Sequence, residues 1–265
     1  MKYYSQLLRH PFLRIGITPF ASVLFGTLVG IAQATTINWW AILTLYLLMI
    51  STQLLDHYFF LQLQHPNRHR NQSLHWVLEA VIALSVIAFC WTHHWGVNSL
   101  VLLYVAYIHL QYYPYDLTHT VYQIILQTFF YGFILSCIGY FSQVGTIKSS
   151  FMLATIPLVL IQFAFALETQ QLRGRLLGYR PALPMLIGQW AFPLALGSGI
   201  LLNFVLSLPS QSFFIVQILM TALSLFTIAP FVVQSHNEHQ IQNKLNYLSA
   251  AYFILNLAFA LSFIY

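Results

Sequence analysis

Long apolar runs, separated by short polar or Pro/Gly-marked breaks, dominate the chain. They fall at 16–34, 37–62, 75–92, 96–113, 120–142, 150–168, 184–207, 212–234 and 246–264. Crossing a bilayer takes roughly 20 apolar residues, and backbone in lipid must satisfy its own hydrogen bonds. The runs do not alternate apolar and polar positions as the strands of a barrel would. The pattern predicts an all-α, polytopic membrane protein of about nine transmembrane helices forming one domain over 1–265.

Composition agrees. Of 265 residues, 59% are hydrophobic and 6% charged, against roughly 25% charged in a soluble domain. Ten basic and five acidic residues cannot hydrate a globule of this size. Charge also orients the chain. With the N-terminus inside, the cytoplasmic segments carry Lys2, Arg9, Arg14, Arg68, Arg70, Arg173, Arg175, Arg180 and Lys244, and the outer segments Lys148 alone. That asymmetry is the positive-inside bias, so a cell-membrane protein with a cytoplasmic N-terminus and an outer C-terminus is expected. The first run precedes Ala32-Gln33-Ala34, which loosely resembles a cleavage site. Its length and the charge pattern favour an uncleaved span. Nothing in the composition points to nucleic acid.

All five carboxylates, Asp56, Glu79, Asp116, Glu168 and Glu238, fall near the cytoplasmic ends of spans, as do all histidines but His93 and His94. Any chemistry is expected there. Asp56 stands out, because a carboxylate at membrane depth usually faces a bundle interior or a wet cavity. Thr52 and Gln53 share its helical face, and His57 lies beside it. The 2–3 connection, with Arg68 and Arg70, and the 6–7 connection, with Gln170, Arg173, Arg175 and Arg180, present guanidinium forks suited to phosphate. They serve equally as anchors to anionic headgroups.

Other features read more plainly. Cys90 and Cys137 are expected as small buried hydrophobes, and the His236/His239 and His65/His69 pairs as solvated side chains rather than metal ligands. Tyr104, Tyr107, Tyr112, Tyr113 and Tyr115 read as an interfacial belt, with an aromatic cage as the alternative. Gly188, Gly197 and Gly199 are expected to permit close helix packing.

Several short motifs resemble those of the UbiA superfamily of intramembrane prenyltransferases, nearest the branch that prenylates dihydroxynaphthoate in menaquinone synthesis. Arg9-His10-Pro11-Phe12 and Thr18-Pro19-Phe20 through Gly26-Thr27 are similar to the family's opening motif. Phe129-Phe130-Tyr131-Gly132 and Gly139 to Gly145 resemble its fifth-span motif, and Gly178-Tyr179-Arg180 sits where the family has "GK". The resemblance implies nine helices around a central cavity and two aspartate-rich motifs holding Mg²⁺ against a prenyl diphosphate. Here the first motif retains Asp56 alone, and the second would fall on Gln170 and Gly174 with Glu168 the acid nearby. If a metal binds, Asp56 and Glu168 are its expected ligands, with Asp56 catalytic. Gln53, His57, Arg68, Arg70, Gln170, Arg173, Arg175 and Arg180 are the expected substrate contacts. Two carboxylates where the family uses several favour a protein that binds an isoprenoid, quinone or related lipid without ordinary Mg²⁺-dependent catalysis. A divergent prenyltransferase acting on an aromatic quinone precursor is the alternative. A small transporter is a third reading, but no internal repeat supports it.

Overall fold

The computed structural model describes residues 18–64, 72–112, 116–117, 120–179, 183, 185–207, 214–231 and 237–265. Arg68, Arg70, Arg180, Tyr113, Tyr115, His65, His69 and His236 lie outside them. Among the described residues the chain forms nine helical rods and no strand. We label them α1 (Thr18–Phe20 as a 3-10 turn, then Ala21–Gln33), α2 (Trp39–Gln64), α3 (Gln72–Thr92), α4 (Trp95–Leu110) and α5 (Val121–Val144). The remainder are α6 (Ser149–Leu177), α7 (Met185–Ser207), α8 (Phe214–Phe231) and α9 (Glu238–Ile264). Seven are long and apolar enough to cross a membrane. The apolar helices of α1 and α4 are shorter, at 13 and 16 residues.

The rods match the nine apolar runs in order, but two extend well past them. The sixth run was expected to end at 168, with a loop to 180. Instead α6 continues to Leu177, and Gly178 stops it in the left-handed conformation (φ 72°) that suits glycine. The apolar pattern ends where lipid ends, whereas the helix continues through Thr169-Gln170-Gln171-Leu172-Arg173, whose residues mostly favour helix. Gln170, Arg173 and Arg175 are therefore helical residues rather than loop residues. Likewise α9 begins at Glu238, not 246, where Asn237 and Gln240 form a capping box.

Two apolar cores divide the bundle. One joins α1, the second half of α5, α6, α7 and α9 around Phe25, Tyr140, Leu158 and Phe259. The other joins α2, α3, α4 and α5 around Leu48, Phe89, Tyr104 and Leu135. α1 and α5 approach closely because Ser22, Gly26 and Gly30 recur every four residues. A Cβ at Gly26 would run into the Ser136 carbonyl, and one at Gly139 would lie 2.8 Å from Val23 O. Gly188 abuts Gln171, and a Cβ at Gly199 would lie 3.1 Å from Pro157 O, as expected for close packing. Gly197 has no such neighbour within 4 Å, so it does not serve α7 packing in this way.

All six tryptophans are exposed, from 50% at Trp40 to 87% at Trp91. Each lies within about two turns of a helix end, Trp76 and Trp190 toward the Asp56 end and the others toward the opposite end. This is the aromatic girdle of a membrane protein, built from tryptophan. The expected tyrosine belt is corrected: Tyr104 and Tyr107 are buried, at 0% and 5%.

A polar cavity at the Asp56 end of the bundle

A cavity of about 180 Å³ lies between α1, α2, α4, α5, α6 and α9. It begins beside Asp56, about two turns from the end of α2. Met49, Gln53 and Asp56, spaced three and four apart, point the same helical face into it. Tyr104 and Tyr107 enter from α4, Gln123, Gln127 and Tyr131 from α5, and Gln162, Thr169 and Arg173 from α6. Asp56 is the one acid and Arg173 the one base among the described lining residues.

The Asp56 carboxylate is held. Its Oδ1 accepts from the Tyr112 hydroxyl at 2.8 Å and from the Gln111 side-chain amide. Both donors sit in the turn just after α4, and α4 stops there with Pro114 close behind in sequence, a residue hostile to continued helix. The Arg173 guanidinium acts on the same carboxylate electrostatically. Arg173 also faces Tyr179. Burial pushes that phenol above its ordinary range, and the guanidinium pulls it part of the way back. A second polar chain runs from Thr52, whose hydroxyl lies 3.1 Å from that of Tyr104, to Tyr131, which hydrogen-bonds Tyr104. α5 is wound as a π-helix over Phe130–Ile134. The Tyr252 hydroxyl of α9 donates to the Tyr131 carbonyl there at 3.1 Å, satisfying an acceptor where the α ladder is interrupted.

Of the residues expected at the site, Asp56, Gln53 and Arg173 line the cavity. Gln170 does not: its amide donates to Thr120 O at 3.4 Å and so ties α6 to the start of α5. His57 and Arg175 are exposed and are not among the lining residues. Glu168 is turned to α9, where its Oε1 meets Lys244 Nζ at 2.9 Å with both side chains nearly buried. The structure therefore does not bring Glu168 to the cavity wall beside Asp56. The residues not singled out in sequence are Gln111, the lining glutamines of α5 and α6, Tyr131 and Tyr252. Their signal was polarity inside apolar runs, with Gln123 and Gln127 four apart.

Mg²⁺ takes near-octahedral oxygen ligation, usually from carboxylates together with substrate phosphate. The described wall offers one carboxylate, and one of its oxygens already accepts two hydrogen bonds. No three His, Cys, Asp or Glu among the described residues are grouped to hold a metal ion. These residues do not fit a carboxylate-rich Mg²⁺ centre.

An all-helical bundle enclosing a polar cavity at one end defines a polytopic membrane protein with an intramembrane site. A solved structure described as a digeranylgeranylglyceryl phosphate synthase in membranes shares this fold. The likeness has a TM-score of 0.55 at 13% identity and covers 99% of both chains. No protein-family model and no curated protein sequence matches the chain.

Proposed function

We propose that the cavity receives the polar ring or head of an isoprenoid, quinone or related lipid, and that this binding, rather than Mg²⁺-assisted ionisation of a prenyl diphosphate, is the protein's function. The observation that carries the reading is the makeup of the wall. Asp56 and Arg173 offset one another in charge, while five tyrosines and five glutamines supply donors and acceptors (Tyr104, Tyr107, Tyr112, Tyr131, Tyr252; Gln53, Gln111, Gln123, Gln127, Gln162). Such a wall suits a neutral, hydrogen-bonding ring. A diphosphate asks for several cations, and the described wall holds one. An engineered cavity of roughly 150 Å³ accommodates benzene, so about 180 Å³ is the scale of one substituted ring. The site lies at the end of the bundle that the positive-inside bias places at the cytoplasm.

A second reading is favoured by the shared fold: transfer of a prenyl group to an aromatic quinone precursor of the menaquinone type, with Asp56 at the reacting head.

The test is thermal stabilisation of the purified protein by a quinone, or by farnesyl or geranylgeranyl diphosphate, with and without Mg²⁺. A ligand at about 100 times its dissociation constant adds roughly 2.7 kcal/mol. Stabilisation by the quinone without Mg²⁺ supports the binding reading. Stabilisation by a diphosphate only when Mg²⁺ is present shifts the assignment to the transferase, and no stabilisation by any of them removes both.

A further inference from the structure

Away from the cavity wall, three titratable side chains meet between α3 and α4. Glu79 stands about two turns into α3, and His109 lies in the last turn of α4. The His109 Nε2 is 3.0 and 3.1 Å from the two carboxylate oxygens of Glu79. His75, one turn before Glu79, brings its Nε2 within 3.9 Å of the same carboxylate, and its Nδ1 is buried with no hydrogen-bond partner among the described residues. α3 packs chiefly on α2 and only lightly on α4, so the Glu79–His109 contact fastens a helix end that packing holds weakly. The two side chains stay partly exposed, at 26% and 37%, so protons can exchange with them.

The contact requires a shared proton. The His109 Nδ1 lies 2.8 Å from Val105 O, a carbonyl that only accepts, so Nδ1 carries a hydrogen. In a neutral ring the other nitrogen is then a bare acceptor, turned on a carboxylate that also only accepts. The pair holds while a proton sits between Nε2 and Glu79; without it, two acceptors face one another and repel. What lies next to the pair leads to Asp56. The Phe59 ring of α2 packs against those of His75 and His109, centroids at 5.7 and 6.4 Å, and against that of Tyr112 at 5.4 Å. The His109 carbonyl accepts from the Tyr112 backbone N–H at 3.3 Å. Gln111 and Tyr112, just past His109, are the two donors that hold the Asp56 carboxylate. Helix ends fray, and the turn that grips Asp56 follows directly on the residue that Glu79 ties down.

We propose that Glu79 and His109 form a proton-carrying clamp that positions the turn after α4, so that Gln111 and Tyr112 hold Asp56 in place for the ligand of the cavity. Both are positioning residues, since neither is among the lining residues. The proposal rests on the head-group reading above. Loss of the shared proton frees the end of α4, and ligand binding weakens as pH rises. Among the described residues, the titratable groups facing the pair are His75 from α3, Tyr112 from α4, and Tyr58 from α2, whose ring stacks on His75 at 5.7 Å. Beyond Tyr112 stands Asp56, on which His57 and Arg173 act electrostatically.

The experiment measures binding of a naphthoquinone to the purified full-length protein from about pH 6 to about pH 9, upward from where histidine ordinarily changes charge. Binding is read by thermal stabilisation against ligand-free protein at each pH, and the quinone carries no group that titrates there. Glu79→Gln keeps the shape of the side chain and offers an amide N–H to a neutral Nε2, so its contact needs no shared proton. Asp56, His57, Tyr58 and His75 are present in both proteins, and their titration cancels in the comparison. Wild-type affinity is expected to fall about tenfold across the range, while that of Glu79→Gln stays level. Glu79→Leu should bind about tenfold more weakly throughout. That loss should not add to the loss in Tyr112→Phe, because both act through one contact with Asp56. The Glu79→Gln profile decides the matter where Glu79→Leu does not fold. Parallel pH profiles of wild type and Glu79→Gln, or additive losses in Glu79→Leu and Tyr112→Phe, overturn the clamp while leaving the head site standing. Failure of the quinone to stabilise wild type at any pH overturns the head-group reading and the clamp with it.

Discussion

The Tyr112 hydroxyl donates to Oδ1 of Asp56 at 2.8 Å, joining residues 56 apart in sequence. The turn after α4 is thereby fastened to the wall of the cavity, and a carboxylate inside an apolar bundle acquires fixed partners. Hydrogen bonds to charged groups contribute about 1.5–3 kcal/mol. Tyr112→Phe is accordingly expected to lower stability by about 2 kcal/mol, read from thermal unfolding in detergent. Asp56→Asn should abolish stabilisation by the lipid ligand while the protein remains folded. Undiminished ligand stabilisation in that variant would remove Asp56 from the site.

Glu168 and Lys244 give an opposite expectation. Their ion pair, nearly buried at 2.9 Å, fastens α6 to α9 away from the cavity wall. Glu168→Gln leaves the lysine without its counter-charge, which costs about 3 kcal/mol in a buried setting. Ligand affinity of the surviving folded protein should match wild type. A Mg²⁺-dependent ligand effect lost selectively in Glu168→Gln would instead restore this residue as a metal ligand.

The α1–α5 contact depends on missing side chains. Gly26→Leu drives a side chain into the Ser136 carbonyl, where backbone cannot yield. Overpacking of this kind costs about 1–3 kcal/mol. The expected outcome is a lowered melting temperature, whereas Gly197→Ala, with open space around it, should melt like wild type. Equal losses in the two variants would contradict the close approach.

Tyr252 is expected to hold the π turn of α5. Tyr252→Phe leaves the Tyr131 carbonyl short of a donor, a loss of about 1–3 kcal/mol for a buried acceptor. Amide hydrogen exchange over 130–135 should rise above its rise elsewhere in the bundle. A uniform change across all helices would show that the bond has no local role.

Parts of the site were legible before the fold and parts were not. Asp56, Gln53 and Arg173 declared themselves because polar groups near or within apolar runs are costly and rarely placed without a partner. Tyr104 and Tyr107 were visible too but misread as a belt, since sequence spacing does not say whether a helix face meets lipid or the bundle interior. Glu168 was drawn toward Asp56 by its place near a motif. Only the rotation of α6, which presents Thr169 and Arg173 to the cavity and Glu168 to Lys244, separates the two. Gln111 showed only as a polar group inside an apolar run and Tyr112 was read into the same belt, because their role exists only once the turn after α4 folds back on α2.

By itself the sequence determined the membrane as solvent, the order and approximate limits of nine helical rods, and the end of the bundle where polar chemistry gathers. Those follow from hydropathy and charge, which act locally along the chain and need no knowledge of neighbours. The tertiary structure alone decided which polar groups share a cavity and which acid is tied up in an ion pair. Those depend on helix rotation and on contacts between residues far apart in sequence, set by the close packing of small residues such as Gly26 against Ser136.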